Sequence, residues 1–396
     1  VGDELEVDLG RPVAGGRSLA TGPDGRVVLV AGALPGERAL VRVTDEQRRH
    51  LLADAVEIVR PVAARRVAPC AAVAMGCGGC DLQDAGPDAQ QEWKVEVVAD
   101  SLRRLGDVDG PDVEVADGIA TWGHRTTVRA LVDEDRAALR RRASHEPIVV
   151  DECPVAHPLV EQVLVEGRFP GADEVVVRVG AATGERMVVV SPIVGRAQVP
   201  DAVRLVGDDE LDAGKRAWIH EEVAGVRLRV SARSFFQTHA EGAGALVRTV
   251  AELLPEATSA DRLVDAYAGV GLLAACLPGG PSRRVVAVER SASAAADARI
   301  NLPDARVVRS DVDRWHATSA DVVVADPARA GLGKAAAKRL SETGASAMAL
   351  VSCDPASLGR DVGLLRRHGW MLDRVKLVDL FPQTWHVEAV SRFVRS

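Results

Sequence analysis

The residue with the most pointed chemistry in this sequence is Cys353, in Val351-Ser352-Cys353-Asp354-Pro355. The apolar run Ala347–Val351 reads as a buried strand, so the thiol stands at its carboxyl end, where open α/β sheets carry their ligands. A thiol at such an edge is a nucleophile candidate. One reaction has a specific need for it. C5 of uracil is too weak a nucleophile to take a methyl group until a thiolate adds to C6 and turns the ring into an enolate. A base must then remove the C5 proton before the thiolate can leave, and Asp379-Leu380-Phe381-Pro382-Gln383-Thr384-Trp385-His386-Val387-Glu388 supplies Glu388 after a final strand. His386 is the neighbouring competitor, although a hydrogen-bonding role suits it better. Out of this context Cys353 would read as a small buried hydrophobe and Glu388 as a surface or helix-capping carboxylate.

A methyl donor needs its own pocket. Leu263-Val264-Asp265 runs into Ala266-Tyr267-Ala268-Gly269-Val270-Gly271, which puts Gly269 and Gly271 at a strand-to-helix turn where backbone approaches a ligand closely. The next strand ends at Glu289, whose carboxylate can accept both ribose hydroxyls of an adenosine moiety, so Asp265 and Glu289 are expected to mark a nucleoside pocket. The third glycine of a dinucleotide fingerprint is missing, with Ala274 the nearest stand-in, which favours S-adenosylmethionine over NAD. Val322–Ala325 delivers Asp326 into Pro327-Ala328-Arg329-Ala330-Gly331. Enzymes that methylate exocyclic amines stack the base on an aromatic residue in such a loop, and this one has none, which points away from amino-group chemistry.

Cys70, Cys77 and Cys80 form a second constellation, a C-x6-C-x2-C array with glycines that let the loop wrap an ion. Three thiolates need a fourth ligand, and Cys153 in Val150-Asp151-Glu152-Cys153-Pro154 is the best candidate. An all-cysteine set serves both [4Fe–4S] clusters and structural zinc, and spacing alone leaves the two nearly even. Cys276 reads as plain core.

The elements that must position these groups divide 396 residues into three parts. Residues 1–60 hold short strand-like runs (Leu5–Leu9, Val27–Val30, Ala39–Val43, Ala53–Val59) broken by glycine turns, the spacing of a small β-barrel. Residues 61–224 hold the cysteines, a helix over Gln90–Leu105 and scattered strands, an α+β pattern. Residues 225–396 alternate buried-type strands (Arg262–Asp265, Val285–Val288, Ala305–Val308, Asp321–Ala325, Ala347–Val351, Arg374–Leu377) with helices, which predicts a doubly wound α/β sheet. The net charge of −8 argues against a general nucleic-acid coat protein but leaves RNA open as a substrate, because Arg60, Arg65 and Arg66 and the group Arg136, Arg140, Arg141 and Arg142 are clustered. No apolar run is long enough to span a membrane and the start, Val1-Gly2-Asp3-Glu4, is acidic, so a cytoplasmic protein without a membrane partner is expected.

Taken in order, Cys-Gly-Gly-Cys-Asp-Leu-Gln at 77–83, Ser-Phe-Phe-Gln at 234–237, Asp-Ala-Tyr-Ala-Gly-Val-Gly at 265–271, Ser-Cys-Asp-Pro-Ala-Ser-Leu at 352–358 and Phe-Pro-Gln-Thr-Trp-His-Val-Glu at 381–388 resemble the TRAM-containing RNA (uracil-5-)-methyltransferases. The resemblance spans essentially the whole chain. It implies an N-terminal OB-like TRAM barrel, a central α+β iron–sulfur domain and a C-terminal Rossmann-like methyltransferase domain. It implies Cys353 as nucleophile and Glu388 as proton acceptor, with Gln237, Tyr267, Glu289, Asp311 and Asp326 lining the cofactor and uracil pocket. It implies a [4Fe–4S] cluster, rather than zinc, on Cys70, Cys77, Cys80 and Cys153. The expected activity is S-adenosylmethionine-dependent 5-methyluridine formation in structured RNA, 23S ribosomal RNA first and transfer RNA second, with no obligate protein partner. A non-catalytic RNA-binding assembly factor is the alternative of another class. Ala328 and Leu272 depart from the family's usual proline and polar residue, and His239 from a frequent asparagine.

Overall fold

A computed structural model describes residues 1–395. Its central feature is an eight-stranded sheet in the order Arg306–Arg309, Arg284–Glu289, Arg262–Ala266, Val322–Ala325, Ala347–Ser352, Ala389–Arg395, Trp370–Leu377, Glu114–Val115. The first five strands are mutually parallel. Val322–Ala325 and Ala347–Ser352 are buried at every position, as required of central strands covered by helices on both faces. One apolar cluster, with Val323, Met348, Leu350, Trp370 and Phe393, fills one face, and another, with Leu246, Leu263, Leu273, Val324 and Val351, fills the other.

The sequence pattern puts Glu388 after the last strand, and this is corrected by the structure. A further strand, Ala389–Arg395, follows Glu388 and inserts antiparallel between Ala347–Ser352 and Trp370–Leu377. Its alternation of Val390, Arg392 and Val394 with Ser391 and Phe393 looks too polar for an interior position. Arg392 is held by Glu256 and Asp373, so the strand carries its charge inward without leaving it unpaired.

Residues 4–60 form a separate six-stranded sheet, in the order Glu4–Asp8, Arg38–Glu46, His50–Arg60, Val27–Ala31, Arg17–Thr21, Pro12–Val13. It has its own apolar cluster of Val7, Val28, Val30, Ala39, Val41 and Ala53. A third sheet, Thr127–Asp133 through Val203–Gly207, carries the helix Pro158–Glu166 on one face, where Val160, Val163 and Leu164 meet Val175 and Val177. The boundary expected between residues 224 and 225 falls in the turn of one hairpin, Trp218–Val223 with Val226–Ser231, which packs on the helix Ala292–Asn301.

The helix Pro87–Leu105 begins with proline in its first turn, where the missing N–H costs nothing. It lies on the helix Pro355–Arg366 of the large sheet so closely that a Cβ on Gly359 would come within 2.5 Å of the Ser101 carbonyl oxygen. Only glycine permits that crossing. Among the described residues no helix is long and apolar enough to cross a membrane.

Candidate active site

Parallel strands in register end together, and that is how residues distant in sequence meet here. Ala266 pairs with Val288 and with Ala325, and Ala325 pairs with Leu350. Tyr267, Glu289, Asp326 and Cys353 therefore leave the same edge of the sheet within a residue or two of the last ladder pair. The antiparallel insertion adds Glu388 to the group: Ser352 pairs with Ala389, so the residue after the first and the residue before the second, Cys353 and Glu388, extend beyond the same end. A cavity of about 580 Å³ lies there, lined by Gln237, Tyr267, Gly269, Glu289, Asp311, Asp326, Cys353 and Glu388, with Phe235, Phe236, Arg329 and His386 around them.

Gly271 does not line that cavity. It caps the helix Leu272–Cys276 at a φ of +90°, and a Cβ there would lie 2.7 Å from Leu302, so its freedom serves the turn and its packing. Asp265 is likewise removed from the nucleoside pocket. It is buried beneath the turn, where its carboxylate accepts the Ala274 N–H at 3.0 Å, and burial pushes its acid up to about 7. The turn after the strand decides both: it folds the Ala274 N–H over Asp265, while Tyr267 and Gly269 are left facing the cavity.

Glu289 faces the cavity with its carboxylate already oriented. It accepts the Gly269 N–H at 2.9 Å and the Ser291 N–H at 2.6 Å, which leaves lone pairs free for two hydroxyls. Tyr267 is held at a φ of +61°, an uncommon conformation for an aromatic residue, and its half-buried ring packs against the core of the large sheet. Asp326 is pushed up to about 7 by burial, and Gln237 Nε2 stands 3.5 Å from its Oδ2.

Glu388 is buried, its Oε1 has no hydrogen-bond partner, and burial followed by the Asp326 charge holds its acid well above the usual carboxylate range. A buried carboxyl oxygen without a partner needs a reason, and a proton delivered from a ligand is one. The Cys353 thiol is pushed up to about 11, first by burial and then by the charges of Glu388 and Asp326, against the opposing Arg329. Burial lowers His386, so the imidazole is neutral.

Cys353, Arg329 and His386 also line a second cavity, of about 760 Å³. Its walls come from the N-terminal sheet (Gly16, Arg17, Asp54), the cysteine loop (Asp81, Gln83) and Arg142. The thiol thus stands where two spaces meet.

The four cysteines expected to hold metal are all buried and free, and all four line one small cavity with Gln83 and Arg125. Burial pushes the Cys77 and Cys80 thiols up and the Cys153 thiol up to about 11, and the neighbouring sulfurs add to each shift. They do not close to the spacing of a single ion. Among the described residues no group of three or more His, Cys, Asp or Glu side chains is arranged to hold a metal ion. Cys276 is half-buried against the second apolar cluster, its Sγ 3.5 Å from the Val223 carbonyl oxygen.

Asp297 escaped the sequence reading, since a lone acid inside Ala-Ala-Ala-Asp-Ala-Arg gives no signal. Fully buried, it accepts bonds from Arg229 Nε at 2.7 Å, the Ser231 N–H at 2.8 Å and Ser234 Oγ at 2.6 Å, and so anchors the segment that presents Phe235, Phe236 and Gln237. Asp297→Asn breaks the ion pair and leaves Arg229 with a weaker partner, so unfolding in urea should show a loss of about 3 kcal/mol. A loss under about 0.5 kcal/mol, the range of an ordinary surface change, would show that the network is not holding the segment.

The fold and the cavity define an α/β protein of the doubly wound class with its ligand space at the carboxyl ends of the strands. Within that class, the chain belongs to the RNA methyltransferases. It is 37% identical to an uncharacterized RNA methyltransferase of Streptomyces avermitilis over 99% of this chain and 98% of that one. A second, from Streptomyces coelicolor, is 36% identical over 99% and 93%, and a third, from Corynebacterium glutamicum, is 32% identical over 100% and 97%. The fold is that of the Pyrococcus abyssi tRNA (uracil-54, C5)-methyltransferase crystallised with S-adenosyl-L-homocysteine: TM-score 0.73, 24% identity, 98% of this chain and 99% of that one. No protein-family profile matches the chain.

Proposed function

We propose that the protein is an S-adenosylmethionine-dependent methyltransferase that makes 5-methyluridine in structured RNA. The observation that carries this reading is the meeting of Cys353 and Glu388 at paired strand ends, inside a cavity that also holds the fixed carboxylate of Glu289. S-adenosylmethionine, when bound, supplies an electrophilic methyl group on a sulfonium. The cavity suits it: Glu289 has lone pairs for a ribose, Phe236 and Tyr267 give apolar walls, and Asp326 offers a negative charge to a cation.

In this reading Cys353 Sγ adds to C6 of a uridine flipped out of its stack, which makes C5 nucleophilic. After C5 has taken the methyl group, Glu388 accepts the C5 proton, the C6–S bond breaks, and the thiolate returns to Cys353. The second cavity gives the base a further route to the thiol, and the N-terminal sheet, taken as a TRAM barrel, would present RNA to it. Cys70, Cys77, Cys80 and Cys153 suit a [4Fe–4S] cluster by their chemistry, four buried thiols around one cavity, and a cluster there would fix the loop rather than join the reaction.

In the RNA-free protein burial pushes the Cys353 thiol up to about 11 and raises the Glu388 acid well above the usual carboxylate range. Thiol addition needs the Cys353 thiolate, so kcat/KM should rise by about tenfold per pH unit from pH 7 to 9. A flat initial-rate profile over that range would contradict the assignment.

Ribosomal RNA of the 23S class is the first substrate reading. Transfer RNA is the second, favoured by the transfer-RNA enzyme of Pyrococcus abyssi, whose fold extends over nearly the whole chain, N-terminal sheet included. Mass spectrometry of ribosomal and transfer RNA from cells with and without the gene tests both. Loss of 5-methyluridine from one fraction identifies the substrate, and loss from neither turns the reading towards an RNA-binding assembly factor.

A further inference from the structure

An amphipathic helix normally buries an apolar stripe, yet the helix Pro87–Leu105 buries Gln90 and Lys94, one turn apart, beside Val97 and Val98. Burying an amide and an ammonium is costly unless each is fully engaged. Both engage the loop that carries His386 and Glu388. Lys94 Nζ reaches Asp379 Oδ1 at 2.6 Å and donates to the Phe381 carbonyl at 2.9 Å. Gln90 exchanges two bonds with Gln383: Gln90 Oε1 accepts the Gln383 N–H at 3.0 Å, and Gln90 Nε2 stands 3.0 Å from Gln383 Oε1.

Gln383 is itself buried and held at a φ of +66°, a conformation that persists only where its surroundings impose it. Its carbonyl accepts the N–H groups of Asp81 and Leu82 at 2.8 and 3.0 Å, the two residues that follow Cys80. The loop then runs on through its own bonds. Thr384 Oγ1 donates to the Phe381 carbonyl at 2.8 Å and accepts the His386 N–H at 3.2 Å, so the clamp reaches to within two residues of Glu388.

We propose that Gln90, Lys94 and Gln383 are positioning residues for the reaction, a clamp that ties the Glu388 loop to the cysteine loop and sets the aim of the carboxylate. The inference rests on the methyltransferase reading above. Cys353 hangs from a different strand, so the clamp acts on proton removal and not on thiol addition. Loosening it slows the step that releases the product and leaves the steps before it intact. The cysteine loop is then part of the reaction's geometry, and a shift in Asp81 and Leu82 is felt at Glu388.

The test uses the full-length protein with S-adenosylmethionine and total RNA from a strain lacking the gene. Gln90→Leu keeps the side chain's bulk and removes every bond to Gln383. It should lower kcat by about tenfold, leave S-adenosylmethionine affinity within about twofold, and accumulate RNA joined covalently to protein in denaturing gels. Lys94→Arg should keep kcat within about threefold of the parent, while Lys94→Met should behave like Gln90→Leu. If Gln90→Leu does not fold, Gln383→Gly, which accepts the positive φ and removes only the side-chain bonds, should give the same split. An unchanged kcat, or kcat and donor affinity falling together without adduct, overturns the clamp. If the parent protein itself forms no 5-methyluridine on that RNA, the proposed function falls, and the clamp with it.

Discussion

Cys353→Ala should abolish methyl transfer, by about 10⁴-fold or more, while the protein folds and binds S-adenosylmethionine as before. The size of the loss follows from the substrate. The other groups nearest the thiol are poor substitutes: the Asp326 and Glu388 carboxyls are weak nucleophiles, and His386 is turned against Phe381 with a ring separation of 5.7 Å. Without an adduct C5 has no electron pair to offer. The small structural effect follows from the position of the side chain, which lines two open cavities and is not packed inside a core, so its removal creates little new void. Isothermal titration with S-adenosylmethionine and quantification of 5-methyluridine separate the two expectations. Methylation retained within about tenfold of the parent would remove Cys353 from the mechanism. A variant that is inactive in the assay yet restores growth or ribosome assembly in cells would favour the assembly-factor reading.

The residues lining the cavity were legible because parallel strands announce their ends. Each buried run, such as Val322–Ala325 or Ala347–Ser352, is followed at once by the residue that matters, Asp326 or Cys353, and register does the rest. Asp265 shows the limit of that logic. It too ends an apolar run, but which way a terminal side chain turns depends on the loop after it, and here the turn to Gly271 puts Ala274 N–H in its path. The last strand was hidden for another reason. Ala389–Arg395 carries Ser391 and Arg392 into a sheet interior, and only Glu256 and Asp373, distant in sequence, make that arginine acceptable there. Gln90 and Lys94 are illegible in the same sense, since their helix appears amphipathic with polar residues to spare until their partners in the 379–383 loop are known. The cysteines gave their convergence by spacing, but spacing carries no distances, and their arrangement around one cavity falls short of a single-ion site.

Glu388→Gln should stop the reaction at a different point from Cys353→Ala. The amide is nearly the size of the carboxyl it replaces and puts no charge into a site where burial already disfavours the carboxylate, so stability should change by less than about 1 kcal/mol. Thiol addition and methylation of C5 do not require Glu388. Removal of the C5 proton does, and an amide cannot accept it, so product release should slow by about 10³-fold. The consequence is a methylated uridine still bonded to Cys353, seen as an RNA–protein band that survives denaturation and carries label from the methyl donor. His386 decides whether the carboxylate is the base or merely near it. The imidazole lines both cavities and is neutral, hence able to take a proton in its own right. If His386→Ala accumulates the labelled band and Glu388→Gln does not, the base is the imidazole, and the orphaned Oε1 of Glu388 must be explained by the substrate's own donors, the uracil N3–H first among them. If Glu388→Gln alone accumulates it, the antiparallel pairing of Ser352 with Ala389 is what brings nucleophile and base to one ring, and the inserted strand is the structural source of the chemistry.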